Sequence, residues 1–292
     1  MVLTRIFAAV GQFPQDDAVL ARALELATPL GATLTIIHVI DLPDCKADFS
    51  DQETLQGQAA IAARDRITAA LLRLGAQASS AEIRIEAGSA GLKLIDICQE
   101  AKPDLVVMRA HQKTRFAERM LGSTTDRLCA AAVAPILVVK RPINRPYARV
   151  LLATNGADNA PAALTLVEAL LPRASLHLVQ AVEIAPQLQE AMLRVGTDQT
   201  ALAAYRDALI QVARNDLRDL SAQAAGRTTR AVLYGDPATA LVRATRRPKV
   251  DLMAVGPGRP SLIRRLFIGS VTRRLLRDAA CDVLICHQRQ ER

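Results

Sequence analysis

Aromatic residues are scarce in this sequence of 292 residues, which contains no tryptophan, three tyrosines and five phenylalanines. Proteins that hold single-stranded nucleic acid stack its bases on such side chains. No recognised DNA- or RNA-binding motif is present either. The composition therefore argues against nucleic acid as a partner.

Cysteine and histidine are also few, and their spacing is not that of metal ligands. Five cysteines and four histidines are spread along the chain without a zinc motif or a Cys-x-x-Cys pair. Cys98 and Cys129 fall on the apolar faces of predicted helices, where a reduced thiol packs like a small hydrophobic group. We therefore expect no metal site, and thiols that stay reduced as in the cytoplasm.

Long hydrophobic runs are missing as well. The longest run, from Cys129 to Val139, is interrupted by Pro135 and is too short to cross a bilayer. The stretch from Met1 to Val10 is interpreted as a first strand, since it lacks the small-residue cleavage site of a signal peptide. We expect a cytoplasmic protein without membrane attachment, whose length suits two domains of about 145 residues.

The most informative feature that is present is an internal repeat, in which residues 104–139 recur at 251–286. Asp104-Leu-Val-Val-Met returns as Asp251-Leu-Met-Ala-Val, and Leu121-Gly-Ser-Thr-Thr-Asp-Arg-Leu returns as Ile268-Gly-Ser-Val-Thr-Arg-Arg-Leu. A repeat of this length indicates a duplicated domain rather than a solenoid unit. We predict domains at 1–141 and 147–292, joined by a short linker that contains two prolines.

Each half alternates apolar runs with helical patterns, which predicts a doubly wound α/β fold with a parallel sheet in each half. A long helix is expected from about residue 50 to 74, with Ser50 and Glu53 as a capping box and Gly75 after its end. Asp16 and Asp17 are interpreted as acidic residues that open a helix. The predicted strands span 3–10, 33–40, 81–87, 105–109 and 136–140, then 150–154, 176–182, 230–234, 252–255 and 283–286.

Positive charge is concentrated in the second half. The net charge is +8, and ten basic residues but one acidic residue lie between Arg243 and Arg277. Such a segment attracts phosphate on a small molecule, a nucleic acid or a lipid surface, although a solvated helix face is an equal alternative. The same region contains Gly256, Gly258, Arg259, Gly269 and Ser270. Glycine lets backbone amides approach a phosphate, and Gly-Ser at a helix start adds amide donors and the positive end of the helix dipole.

This arrangement of glycines followed by Gly-Ser, present in altered form in both halves, resembles that of tandem universal stress proteins. The resemblance implies a five-stranded fold of the adenine-nucleotide alpha-hydrolase type in each half and a role in stress survival. It also implies ATP as a ligand and pairing of the halves through residues 136–140 and 283–286. A further homodimer is compatible with it.

Both halves depart from the family pattern. In the first half, Arg109 and Gln112 replace the two loop glycines, as in E-type tandem members, and Gly11 replaces an acidic residue, so we expect no nucleotide there. In the second half, Asn155 replaces the acidic residue, although it can still form hydrogen bonds, and Arg259 can contact a phosphate. A phosphate-bearing ligand is therefore predicted in the second half.

Two alternatives stay open. One is slow ATP hydrolysis in the second half, for which Asp236 is the nearby carboxylate. The other is a nucleotide-independent scaffold that interacts with protein or nucleic acid through the basic Arg243–Arg277 segment. No Ser-His-Asp or Cys-His arrangement is evident, so we predict no catalytic residues.

Overall fold

The computed structural model describes residues 2–41, 49, 53–77, 80–109, 124–142, 145–156, 160–256 and 269–287. These residues divide into two compact units. The first unit extends through Pro146 and takes in His287, whereas the second begins at Tyr147 and ends at Cys286. His287, which the sequence places in the second domain, thus groups with the first unit.

The first unit alternates strands and helices, as predicted. Its described elements are β1 (Arg5–Val10), α1 (Asp17–Leu30), β2 (Thr33–Ile40), α2 (Leu55–Arg73), β3 (Glu82–Ala87), α3 (Ala90–Ala101), β4 (Leu105–Arg109), α4 (Thr124–Ala131) and β5 (Ile136–Val139). The strands form a parallel sheet in the order β3-β2-β1-β4-β5.

The second unit repeats this topology. Its described elements are β6 (Arg149–Thr154), α5 (Ala160–Leu170), β7 (Ser175–Val182), α6 (Pro186–Arg194), α7 (Gln199–Ala222), β8 (Thr228–Tyr234), α8 (Pro237–Thr245), β9 (Leu252–Val255), α9 (Ser270–Asp278) and β10 (Asp282–Ile285). The strands are again parallel, in the order β8-β7-β6-β9-β10. The predicted α/β class is confirmed. Helix α6 was not predicted, and it buries no residue.

The apolar runs of the sequence are the buried strands. Every residue of β5, β9 and β10 is buried, as expected for parallel strands covered on both faces. The buried residues of α1 and α5 match when the sequence is shifted by a constant number of positions. The same shift relates Arg5 to Arg149. This match identifies corresponding positions in the two units.

A repeated aspartate joins two strands at the amino edge of each sheet. Asp104 Oδ2 accepts hydrogen bonds from the amides of Thr4 and Arg5 at 2.8 and 3.0 Å. Asp251 Oδ2 accepts them from the amides of Ala148 and Arg149, both at 2.9 Å. The aspartate that opens each repeat is therefore structural and lies at the edge opposite the carboxyl ends of the strands.

Helix α2 begins later than predicted. Its N-cap is Thr54, whose Oγ1 accepts a hydrogen bond from the Gly57 amide at 3.0 Å. The predicted capping box of Ser50 and Glu53 is therefore wrong, although Ser50 itself lies outside the described residues. Thr54 has the extended backbone and the hydroxyl that an N-cap requires, and it directly precedes the first helical residue.

Candidate functional site

Each sheet has one place where the strand order reverses, and ligands of such sheets bind there, past the carboxyl ends of the strands. In the first unit the reversal lies between β1 and β4, and in the second unit it lies between β6 and β9. The glycine-containing segments of the two halves follow β4 and β9. These two crevices are therefore the candidate sites.

An ion pair bridges the crevice of the first unit. Arg109, the last residue of β4, places its Nε 2.8 Å from Oδ1 of Asp16, which precedes α1. The pair is held by charge rather than by an aligned hydrogen bond, since neither atom has a hydrogen-bond partner among the described residues. Asp16 is 1% exposed, and its Oδ2 accepts hydrogen bonds from the amides of Gly11 and Gln12 at 2.7 and 2.8 Å. The positive and negative side chains thus lie across the crevice between the ends of β1 and β4.

Asp16 and Asp17, at the start of α1, have more specific roles than the predicted one of opening the helix. Asp16 does precede the helix, but its carboxylate turns back to the preceding loop and makes no cap hydrogen bond. Asp17 opens α1 and accepts hydrogen bonds from Arg73 of α2, the shortest at 2.9 Å. Both aspartates therefore join α1 to other parts of the first unit.

A cavity of about 340 Å³ lies at the carboxyl ends of β1 and β2, against α2. His38, near the carboxyl end of β2, places Nδ1 3.0 Å from the carbonyl oxygen of Val10. The sequence did not predict this cavity, because its residues come from three elements. It is lined by Gly11, Gln12, Phe13, Gln15, His38, Ala63 and Arg66.

The crevice of the second unit has neither member of that ion pair. Gly256 follows β9 at the position that corresponds to Arg109, and Ala160 begins α5 at the position that corresponds to Asp16. Asn155 follows β6 and is exposed. Because β6 and β9 are adjacent and parallel, Asn155 and Gly256 lie at the same edge of the sheet.

Helix α9 follows this crevice in the chain. Gly269 is its N-cap and Ser270 its first residue, and both are exposed. Gly269 has no side chain that could accept a hydrogen bond from the first amides, and the first turn contains no acidic residue. The positive end of the helix therefore has no side-chain anion of its own, which suits it to an external one.

The predicted contacts Gly258 and Arg259 of the second half lie outside the described residues. So do Gln112, Gly122 and Ser123 of the first half, where no nucleotide is expected. The structure thus brings Asn155 and Gly256 to one edge and places Gly269 and Ser270 at a helix start. The roles of Gly258 and Arg259 stay predictions.

The basic segment Arg243–Arg277 is partly neutralised within the second unit. Asp278 lies 2.5 Å from Arg274 Nε and 3.0 Å from Arg277 Nε, and the hydrogen bond from Arg277 lowers the pKa of its carboxyl group. Asp236 is the N-cap of α8, and hydrogen bonds from the side chain and amide of Thr239 lower its pKa. A carboxylate held as an anion in this way is a weak general base.

A further polar cluster lies at the carboxyl end of β7. Gln180 is 5% exposed, and its Nε2 donates to Oδ2 of Asp216 on α7 at 3.3 Å. Gln180 Oε1 has no hydrogen-bond partner in the described part of the chain. Gly156 has a φ of 76°, and a Cβ there would overlap Asp216 Oδ2. This cluster was not predicted from the sequence, although a glutamine within an apolar strand is a signal for it.

The described residues contain no group of His, Cys, Asp and Glu side chains that could hold a metal ion. None of the helices in the described ranges is long and apolar enough to span a membrane.

Burial raises the pKa of the Cys98 thiol to about 12. The pKa of the Cys129 thiol is raised further, mainly by burial and also by the negative charge of Asp126. Both thiols lie on buried helix faces, as predicted, and are unreactive at neutral pH.

Comparison with known proteins gives consistent results for the two halves. A model of the universal stress protein family matches residues 3–140 and again 146–287. A protein described as the universal stress protein in the QAH/OAS sulfhydrylase 3′ region of Thermus aquaticus is 29% identical over 147 residues, which cover 48% of this chain and 98% of that protein.

Two solved structures are similar over almost the whole chain. A universal stress protein from Archaeoglobus fulgidus DSM 4304 has a TM-score of 0.68 at 15% identity, with 98% of this chain and 97% of that chain covered. A functionally unknown protein from Pseudomonas aeruginosa PAO1 has a TM-score of 0.64 at 16% identity, with 98% and 93% covered. At these identities the likeness concerns the fold.

Proposed function

Since the chain belongs to the universal stress protein family and contains the family's domain twice, we propose that it is a stress-response protein that binds a phosphate-bearing ligand in the crevice of its second unit. ATP is the foremost candidate ligand. The proposed activity is binding without turnover. The proposed location is the cytoplasm, where thiols such as Cys98 and Cys129 stay reduced.

This proposal rests on one difference between the two units. The positions of the charged pair Arg109 and Asp16 in the first unit correspond to Gly256 and Ala160 in the second. In the first unit, the ion pair of Arg109 and Asp16 lies across the crevice and would obstruct a phosphate there. In the second unit, a glycine at the end of β9 lets amides approach an anion closely. The exposed start of α9, at Gly269, adds a positive dipole end.

Binding without turnover is favoured by the state of the nearest candidate base. Asp236 is engaged with two donors of Thr239, and these bonds lower its pKa. Hydrolysis needs a base that takes a proton from water near neutral pH. We therefore expect phosphate release to be no faster than in a Gly269→Arg variant, whose side chain would obstruct the helix start.

The test is isothermal titration of the full chain with ATP. Substituting Ser270→Ala together with Arg259→Ala removes a hydroxyl contact and a charged contact, each worth about 1–3 kcal/mol. That loss takes a micromolar site beyond easy detection, since about 1.4 kcal/mol is a tenfold change in affinity. Ser123→Ala, the matched change in the first half, is expected to leave the binding constant unchanged.

Two outcomes would contradict this proposal. If Ser123→Ala were the damaging substitution, the ligand would belong to the first unit. If the natural chain bound no ATP at millimolar concentration, the nucleotide would be excluded and the family assignment would remain.

A further inference from the structure

We propose that Gln180 and Asp216 form the base-recognition end of the second unit's site and select a nucleotide whose base presents an amino group, an adenine nucleotide rather than its 6-oxo counterpart. This inference rests on the proposed function and adds the residues that read the base. Neither residue belongs to the glycine-containing segment or to the start of α9.

Gln180 lies beside the proposed crevice of the second unit. It pairs with Thr154, the last residue of β6, and Asn155 and Gly156 follow directly. The Gly156 amide donates a hydrogen bond to Thr154 Oγ1 at 3.0 Å, which fixes the backbone beside the cluster. Because Gly156 has no Cβ, the Asp216 carboxylate lies directly against the backbone at this edge.

The chemistry of the cluster is that of an acceptor. A carboxylate accepts hydrogen bonds, so the side-chain amide of Gln180 must direct its Nε2 toward Asp216. The Oε1 atom of Gln180 therefore points away from Asp216. A buried carbonyl oxygen without a partner is costly, and an N–H donor from a ligand would relieve that cost. Asp216 is part-buried and forms no ion pair within the described residues, so it presents a second acceptor.

An amino group matches this pair of acceptors, because it supplies two N–H donors. A 6-oxo group would instead direct a third acceptor oxygen at Gln180 Oε1 and Asp216, and repulsion would weaken binding. A polar site of this kind rejects the mismatched analogue strongly, since its buried groups are left unpaired.

The corresponding residues of the first unit show that a ligand-sized space forms at this position of the fold. His38 is the last residue of β2 that pairs with β1, and Gln180 is the last residue of β7 that pairs with β6. Arg66 and Asp216 each directly precede a buried residue of the following long helix. His38 and Arg66 line the cavity of about 340 Å³. The exchange of Arg66 for Asp216 reverses the charge, so the acceptor character belongs to the second unit alone.

The experiment compares ATP with ITP, which differ at the six-position edge of the purine, by isothermal titration of the full chain. The natural chain is expected to bind ATP at least about tenfold more tightly. Asp216→Asn keeps the size of the side chain and its bond to Gln180 but adds a donor, so it should bring the affinity ratio close to one. Asp219→Asn, on the exposed face of the same helix, is the matched control and should keep the ratio. Gln180→Met, which removes the acceptor at similar size, gives the same readout if Asp216→Asn does not fold.

The outcomes separate this inference from the proposed function. Equal affinity of the natural chain for ATP and ITP, or an unchanged ratio in the substituted chains, would overturn the inference and leave phosphate binding in the second unit intact. If neither nucleotide bound, both would fail. A purely structural contact between α7 and β7 would alter stability without changing the ATP-to-ITP ratio.

Discussion

Single residues at corresponding positions give the two units opposite properties. Arg109 corresponds to Gly256, and Asp16 corresponds to Ala160, so a crevice bridged by charge in the first unit lacks both charged side chains in the second. In contrast, Asp104 and Asp251 keep the same hydrogen bonds in both units. The duplicated domains therefore share their structural carboxylates and differ in the charged residues at the carboxyl ends of the strands.

The Arg109 and Asp16 side chains should be energetically coupled. Arg109→Met leaves a carboxylate that is 1% exposed without its cation, which we expect to lower the free energy of unfolding by about 1–3 kcal/mol. With Asp16→Asn already in place, Arg109→Met should cost less, because no buried charge remains to be compensated. Urea denaturation of the two single variants and the double variant measures this coupling.

The exposed Arg64 of α2 provides a control for that measurement. Arg64→Met should change the free energy of unfolding by no more than about 0.5 kcal/mol. Strictly additive energies for Arg109→Met and Asp16→Asn would show that the two charges do not stabilise each other.

At the scale of secondary structure elements, the start of α2 depends on one hydroxyl. Thr54→Ala removes the acceptor for the Gly57 amide, so we expect a loss of about 1 kcal/mol in the free energy of unfolding. Ser50→Ala is the matched control, because the sequence pattern favoured Ser50 as the cap. If Ser50→Ala were the more costly change, the helix would begin earlier than the structure shows.

Elements with a strong hydrophobic pattern could be predicted from the sequence. Strands such as β2, β4 and β9 were predicted with their observed bounds, because continuous apolar runs mark strands buried on both faces. The start of α2 and the whole of α6 were not predicted correctly. Helix α6 buries no residue, and the cap of α2 was predicted at Ser50, although Thr54 is a hydroxyl residue that is equally suitable by local sequence.

The candidate site was predictable to the extent that its residues are neighbours in sequence. Gly256, Gly269 and Ser270 were identified because they follow a strand and start a helix. Gln180 and Asp216 were not, because they meet only when α7 packs on β7. A glutamine within an apolar strand draws attention to Gln180, but no sequence pattern identifies Asp216 as its partner, because their contact depends on the whole connection between two strands.

At the scale of the whole molecule, stability should decrease in mildly acidic solution through His287. Burial lowers the pKa of His287 to about 4, and a hydrogen bond with the Cys129 backbone acts in the opposite direction. Its Nε2 is shielded from solvent and has no hydrogen-bond partner among the residues that the structure describes. The folded chain therefore keeps this imidazole neutral.

The direction of the effect follows from the order of the two pKa values. An unfolded histidine titrates near about pH 6.5, so the unfolded chain binds the proton first as the pH falls. Folding then loses free energy between about pH 6.5 and about pH 4, by at most about 3 kcal/mol. His287→Gln should lose less stability than the natural chain between about pH 7.5 and about pH 5, measured by urea denaturation. An identical pH dependence of the two proteins would contradict this assignment.

The close contact at Gly156 limits the order in which substitutions can accumulate in the second unit. Gly156 and Asp216 are far apart in sequence, yet a side chain at position 156 would occupy the same space as the Asp216 carboxylate. A lineage that acquires a larger residue at position 156 while Asp216 is present must pass through a strained intermediate. Shortening the residue at 216 first removes this overlap and leaves only the backbone strain of the φ of 76° at position 156, so the order that changes 216 first is the less costly one.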